Sequence, residues 1–278
     1  MKKVLGLILG TGVLLAACGS NGSPEANKKE VSFGEIMNKG EQISYEIRNY
    51  EGELVPTKNS AVSSIIKTDN GKVTAYNVED DIELKDLKDK SKKEIIDLAK
   101  KQDKKYMLRS KNDNIAQLKY NIKTVKNDIE GEVKEKEEGE KEIEDYEKMI
   151  KELNNYEYKN PKERKLKIEA VEDNTGNNTS LEEIFSAPQT FDIDNSYNEA
   201  YDDGSTTYSS YDKGNETMKI YDKNYAYLSD SDNEEEDDDE DESEKYFLVT
   251  PVSDKTEYSK LDKPDSKNVK AIDDEEEE

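Results

Sequence analysis

The shortage of large apolar side chains is what most limits the folds open to this chain. Leu, Ile, Val and Phe number 53 of 278 residues, whereas 39% of residues are charged. That ratio is a signature of disorder, because little apolar area is available to offset the entropy of ordering the backbone. The length suits one domain of roughly 150–200 residues. Any core is therefore lean and must come from short, well-patterned elements. Lys, Asn, Ile and Tyr are abundant and Arg and Trp scarce, as an AT-rich genome produces, so part of this composition carries no physical message.

Patterned elements are nonetheless legible. Phe33-Gly34-Glu35-Ile36-Met37-Asn38-Lys39-Gly40 reads as a helical turn or two ended by glycine. Ile43, Tyr45 and Ile47 alternate with polar residues, as in a half-buried strand. Val62 to Thr68 and Lys72 to Val78 flank Asp69-Asn70-Gly71. Asn-Gly suits a type I′ hairpin turn, whose two central residues both need positive φ.

A central helical block is expected over about residues 91–156. Ser91-Lys92-Lys93-Glu94 is a capping-box pattern, followed at helical spacing by Ile95, Leu98, Ala99 and Gln102. Ile115, Leu118, Ile122, Val125 and Ile129 continue in steps of three and four, and Ile143, Tyr146, Ile150 and Leu153 resume the phase. Glu132, Lys136 and Gly139 occupy the core positions between. Two courses fit residues 113–155: one long helix with a solvated middle, or an antiparallel pair turning near Gly131 or Gly139. Each apolar seam spans barely two heptads, short for a coiled-coil partner, so packing within the chain and a monomer are expected.

Beyond Pro161, Leu166, Ile168 and Ala170 alternate as a strand, and Asp173-Asn174-Thr175-Gly176-Asn177 reads as a turn. Ser180-Leu181-Glu182-Glu183 repeats the capping-box pattern and predicts a short helix through Ile184-Phe185. Strands are expected at Gln189 to Ile193, Thr217 to Tyr221, Tyr225 to Leu228, Tyr246 to Thr250 and Asn268 to Ile272. Strands on both sides of a helical block imply an α+β single domain with an antiparallel sheet and a central long helix or helical hairpin. Its expected span is 33–272.

Composition excludes several chemistries. There is no histidine, which removes His-based triads and histidine-ligated zinc or haem. One cysteine, Cys18, leaves no disulfide, cysteine-ligated zinc or iron–sulfur site. A net charge of −25 with few arginines opposes nucleic-acid binding. No phosphate loop or dinucleotide fingerprint occurs. No catalytic residue, cofactor or metal ligand is singled out, and an enzyme would require a buried carboxylate pair in a cleft.

Glu234 to Glu242 is an unbroken carboxylate run within an acidic loop at about 229–244, and residues 273–278 form an acidic tail. Calcium loops of the EF-hand type need glycine at the sixth place, and counting from Asp230, Asp232 or Asp192 finds Glu235, Asp237 or Tyr197 there. A solvated, disordered, self-repelling segment is the expectation. Residues 197–227 hold seven of the seventeen tyrosines, interleaved with Ser, Asp and Gly. Such mixtures serve recognition surfaces, and tyrosine also favours ordinary sheet packing.

The amino terminus is the most specific signal. Lys2 and Lys3 precede an apolar run from Val4 to Leu15, then Leu15-Ala16-Ala17-Cys18. The run falls short of the roughly twenty residues that span a bilayer, so residues 1–17 read as a cleaved signal peptide. A simple secretory signal cut near Ala17 is the alternative. Against it, the single cysteine stands at the first position of the mature chain. Leu-Ala-Ala-Cys resembles the lipobox of bacterial lipoproteins. The layout from Phe33 through Asp173 resembles small uncharacterised lipoproteins of staphylococci and related Gram-positive bacteria. That resemblance implies a diacylglyceryl thioether on Cys18 and cleavage before it. It also implies anchorage on the outer face of the cell membrane by acyl chains, without a spanning helix. Residues 18–32 read as a flexible tether. The expected role is non-enzymatic interaction with an envelope or extracellular protein. The alternative is a small-ligand or cation-binding lipoprotein working with a transporter.

Overall fold

The computed structural model describes residues 22–49, 55–79, 81–191, 201–230 and 245–273. Residues 1–17, Cys18, the acidic run 234–242, Tyr197 and residues 274–278 lie outside them.

The described chain opens with a 3₁₀ turn at Pro24–Asn27, then β1 (Glu30–Ser32), α1 (Phe33–Asn38), β2 (Glu41–Asn49), β3 (Ala61–Asp69) and β4 (Lys72–Asn77). The helices α2 (Leu84–Leu87), α3 (Lys92–Glu130) and α4 (Lys136–Asn155) follow. Next come β5 (Arg164–Lys165), β6 (Ile168–Glu172), β7 (Thr179–Ile184), β8 (Ser209–Tyr211), β9 (Lys213–Gly214) and β10 (Met218–Ile220). The last strands are β11 (Lys223–Ser229), β12 (Lys245–Val252), β13 (Tyr258–Lys260) and β14 (Lys270–Ile272). The molecule is α+β, as its patterning implies.

The central sheet runs β10-β11-β12-β2-β3-β4-β5 and is antiparallel throughout, with β9 added against β11. The Asn-Gly hairpin joins β3 to β4, and Asn70 (φ 50°) and Gly71 (φ 77°) both take the left-handed conformation required of its turn. A smaller sheet, β14-β6-β7-β8, includes a parallel β14–β6 pair, and β1 pairs parallel with β13.

Alternation along the strands feeds two cores. Ile43, Tyr45, Ile47, Ile65, Tyr76, Phe247 and Val249 face α2 and the first turns of α3, where Leu84, Leu87, Ile95 and Ala99 cover them. Ile66, Val73, Ala75, Leu228 and Leu248 point the other way, against Val31, Phe33, Ile36, Met37, Ile168, Ile184 and Tyr211. The central sheet is therefore buried on both faces. Polar residues on the second face carry their own partners: Gln42 Nε2 donates to Thr250 Oγ1 (2.7 Å), and the Ser64 and Ser209 hydroxyls donate to the Glu46 carboxylate (2.6 and 2.9 Å).

Four sequence expectations are corrected or decided. The tether does not extend to residue 32. Gly22 onward is packed: Ser23 N donates to Gln42 Oε1 (3.1 Å), Ala26 and Val31 are buried, and β1 is a strand. Thr179–Ile184 is a strand and not a helix. Pairing with β6 and β8, and the burial of Glu182 as acceptor for Asp262 N (2.7 Å), override the local capping pattern. In the described part of the strand expected at Gln189 to Ile193, only an isolated bridge forms, Thr190 to Asp202. The helical block is a hairpin. Here α3 starts at the Ser91/Glu94 capping box, runs 39 residues without a break, and is followed after Gly131 by the antiparallel α4. Gly139 is the point of close approach, since a Cβ there would lie 2.6 Å from Ile129 Cδ1. No helix among the described residues is long and apolar enough to cross a membrane.

Candidate functional site: a cleft at the base of the helical hairpin

Where α3 leaves the sheet, its buried Asp103 meets the end of β4. Asp103 Oδ1 accepts Asn77 N (3.0 Å) and Asn77 Nδ2 (2.9 Å), and Oδ2 accepts Gln189 Nε2 (2.8 Å) and the Tyr158 hydroxyl (2.9 Å). Burial pushes this carboxyl up from its ordinary value, and the four hydrogen bonds pull against that shift. Burial and the neighbouring Asp103 together push the Tyr158 phenol up. Asn77 Nδ2 also donates to Gln189 O (2.8 Å), and the Tyr201 hydroxyl donates to Gln189 Oε1 (2.8 Å). One network thus ties strand β4, helix α3, the chain after α4, Gln189 and Tyr201 together.

Beside this network lies a cleft of about 500 Å³, lined among others by Tyr156, Lys159, Arg164, Gln189, Tyr201 and Asp203. Tyr156 packs edge-on to Phe191 (centroids 4.9 Å apart) and tilts toward Tyr201 (5.9 Å). Its phenol is pushed up to about 12, chiefly by burial. Arg164 Nη2 donates to Ala187 O (2.6 Å) and Gly204 O (2.9 Å). Burial pulls its pKa down and Asp203 and Asp202 oppose that, so the guanidinium serves as a strut for two loops. The cleft can therefore present aromatic faces, an amide and lysine cations to a small polar molecule. Asp103 beside it is fully buried with its oxygens already engaged.

A carboxyl pair sits on the opposite side of the sheet. Glu182 is fully buried and Asp262 is 2% exposed. Asp262 Oδ1 accepts the Ser32 hydroxyl and Oδ2 accepts Gly34 N, both at 2.6 Å. Burial and the Asp262 charge push the Glu182 carboxyl well above its ordinary value, and burial pushes Asp262 up as well. The pair is buried and lies outside the cleft described above, and its oxygens serve packing and hydrogen bonding.

The tyrosine-rich stretch divides. Tyr211, Tyr225 and Tyr227 are core residues, whereas Tyr201, Tyr208 and Tyr221 are exposed. The exposed three have separate neighbours: Tyr201 lines the cleft, Tyr208 packs on Phe185 (5.1 Å), and Tyr221 lies under Lys88 Nζ (4.2 Å). Sequence reading missed Asp103, Asn77 and Gln189. A single Asp inside the apolar phase of a helix was the available signal, since such a residue needs a buried partner. Among the described residues no group of three or more Cys, Asp or Glu side chains is placed to hold a metal. Comparison with protein-family models, with curated proteins and with solved structures finds no match to this chain.

Proposed function

We propose that this chain is a lipid-anchored, extracytoplasmic lipoprotein of a Gram-positive-type cell membrane. It is non-enzymatic and acts by interaction with an envelope or extracellular protein. The observation that carries the reading is Leu15-Ala16-Ala17-Cys18 behind a short apolar run, with Cys18 the single cysteine. Two acyl chains on that sulfur hold a protein firmly, at ~0.8 kcal/mol per buried methylene. Packing of Ile115, Leu118, Met149 and Leu153 against one another supports a monomer, because the helical seam is satisfied within the chain. Membrane fractionation of Cys18→Ser tests the anchor. The variant is expected in the soluble fraction or as an uncleaved precursor. Normal processing with full membrane retention overturns the reading.

The cleft favours one second reading, a receptor for a small polar ligand presented to a transporter. Tyr201→Ala opens its aromatic wall and removes the hydroxyl that orders Gln189. A ligand that raises the melting midpoint of the wild type and not of Tyr201→Ala supports this reading. A ligand that raises both equally places its site elsewhere.

A further inference from the structure

Resting on the lipid-anchor reading, the geometry points to a fixed orientation on the bilayer. We propose that the end of the sheet bearing the 3₁₀ turn, Gly40 and the Asn70-Gly71 turn contacts the lipid headgroups, and that the helical hairpin projects away from the membrane.

The length of chain between anchor and fold carries the argument. Gly22 abuts Gln42, whose Oε1 would be 2.6 Å from a Cβ at Gly22, and Ser23 N is hydrogen-bonded to the same oxygen. Only three residues separate Cys18 from Gly22, a span of at most ~14 Å. A glycerolipid on Cys18 therefore holds this end of the sheet at the headgroup layer.

The opposite end follows from strand and helix directions. Helix α3 begins at this same end, where Lys92 Nζ donates to Glu41 O (2.8 Å). It runs alongside β4, reaching Asn77 at Asp103. The remaining residues to Glu130 extend ~40 Å past that point at 1.5 Å per residue. The hairpin tip carries Val133, which is 79% exposed. Strand β2 runs from Glu41 to Asn49, ~27 Å. Asn49 pairs with Lys245, so the acidic run between Asp230 and Lys245 is attached at the distal end.

Charge agrees with this placement. At the anchored end lysines meet acids in ion pairs, Lys39–Glu25 (2.8 Å), Lys67–Glu41 (3.2 Å) and Lys72–Glu163 (2.7 Å), leaving little net charge against anionic lipid. The attachment points of the acidic run are more than two Debye lengths away at physiological salt, where screening is about 8 Å. The carboxylate run of this acidic chain is thus attached away from the lipid surface.

The test uses the full lipidated chain in vesicles of phosphatidylglycerol and phosphatidylethanolamine. Lipid occupies the single native sulfur, so one cysteine is added at a time, at exposed Asn27 (Asn27→Cys) or at Val133 (Val133→Cys), and labelled with a donor dye. Energy transfer to a headgroup acceptor is expected to be several-fold greater from position 27 than from position 133. Failure of the unlabelled wild type to float with vesicles overturns the anchor reading and the orientation with it. Flotation with equal transfer from both positions, or greater transfer from 133, overturns the orientation alone.

Discussion

The central sheet is covered on both faces by two large buried clusters, whereas the hairpin beyond Asp103 is held by one narrow seam. Met107, Ile115, Leu118, Met149, Leu153 and Phe191 make up that seam, and nearer the tip only Val125 and Gly139 are buried. Both regions draw on the same lean composition. The sheet concentrates its apolar residues because both faces of a strand can be buried, and three layers share each side chain between neighbours. A two-helix arm can bury only the facing stripe of each helix, and the rest stays charged. The sheet body is thus expected to unfold as one cooperative unit, with the arm opening locally at lower cost.

The sharpest way to break this contrast is at the joint. Asp103→Ala leaves Asn77, Gln189 and Tyr158 donors without their acceptor. A loss of about 3 kcal/mol is expected, since a buried charged acceptor is removed from several donors at once. Hydrogen exchange should then report free opening of the hairpin before the body melts. A single unshifted transition would mean that the arm and body are not joined through this carboxyl.

A smaller effect is expected within the arm. Gly139→Ala places a methyl against Ile129 and Val125, and overpacking of this kind costs about 1–2 kcal/mol. Amides near the tip should exchange faster, with those of β2 and β3 unchanged. Equal acceleration in both regions would show that the hairpin and body are one cooperative unit.

The smallest effect lies in the body and depends on pH. Glu182 has a folded pKa raised above its unfolded value, so the folded state binds the extra proton. Its contribution therefore falls as pH rises from about 4.5 towards the folded value. Glu182→Gln keeps an acceptor for Asp262 N and cannot ionise. The melting midpoint of the wild type should drop more steeply than that of the variant as pH rises above about 4.5. Parallel curves would show that folding does not raise the Glu182 carboxyl.

Local features with a strong pattern were legible in the sequence. The Asn70-Gly71 turn, the Ser91 cap of α3 and the strands at Ile43, Tyr225 and Tyr246 depend on nearest neighbours and short periods, and all of them form, although β2, read as half-buried, is covered on both faces because Gln42 and Ser44 are buried too. Ile122, one of the seam positions in the sequence, is only half-buried, whereas Met107 and Leu118 are fully buried. Periodicity gives the stripe, while depth depends on what the partner helix places opposite. The strand at Thr179–Ile184 was hidden because Ser-Leu-Glu-Glu satisfies a helix cap locally, and its partners β6, β8 and Asp262 come from elsewhere in the chain.

The sequence by itself determined the α+β class, the helical block and the single-cysteine amino terminus with its apolar run, because these rest on composition and on spacing within a few residues. Only the tertiary structure decided that the helices fold back on each other, that residues from Gly22 belong to the domain, and that Asp103, Asn77, Tyr158 and Gln189 meet. Those outcomes depend on contacts between residues far apart in the chain. Asp103 and Gln189 stand 86 positions apart, and no local pattern encodes such a meeting. It is fixed by the need of every buried polar group for a partner once the two cores have closed.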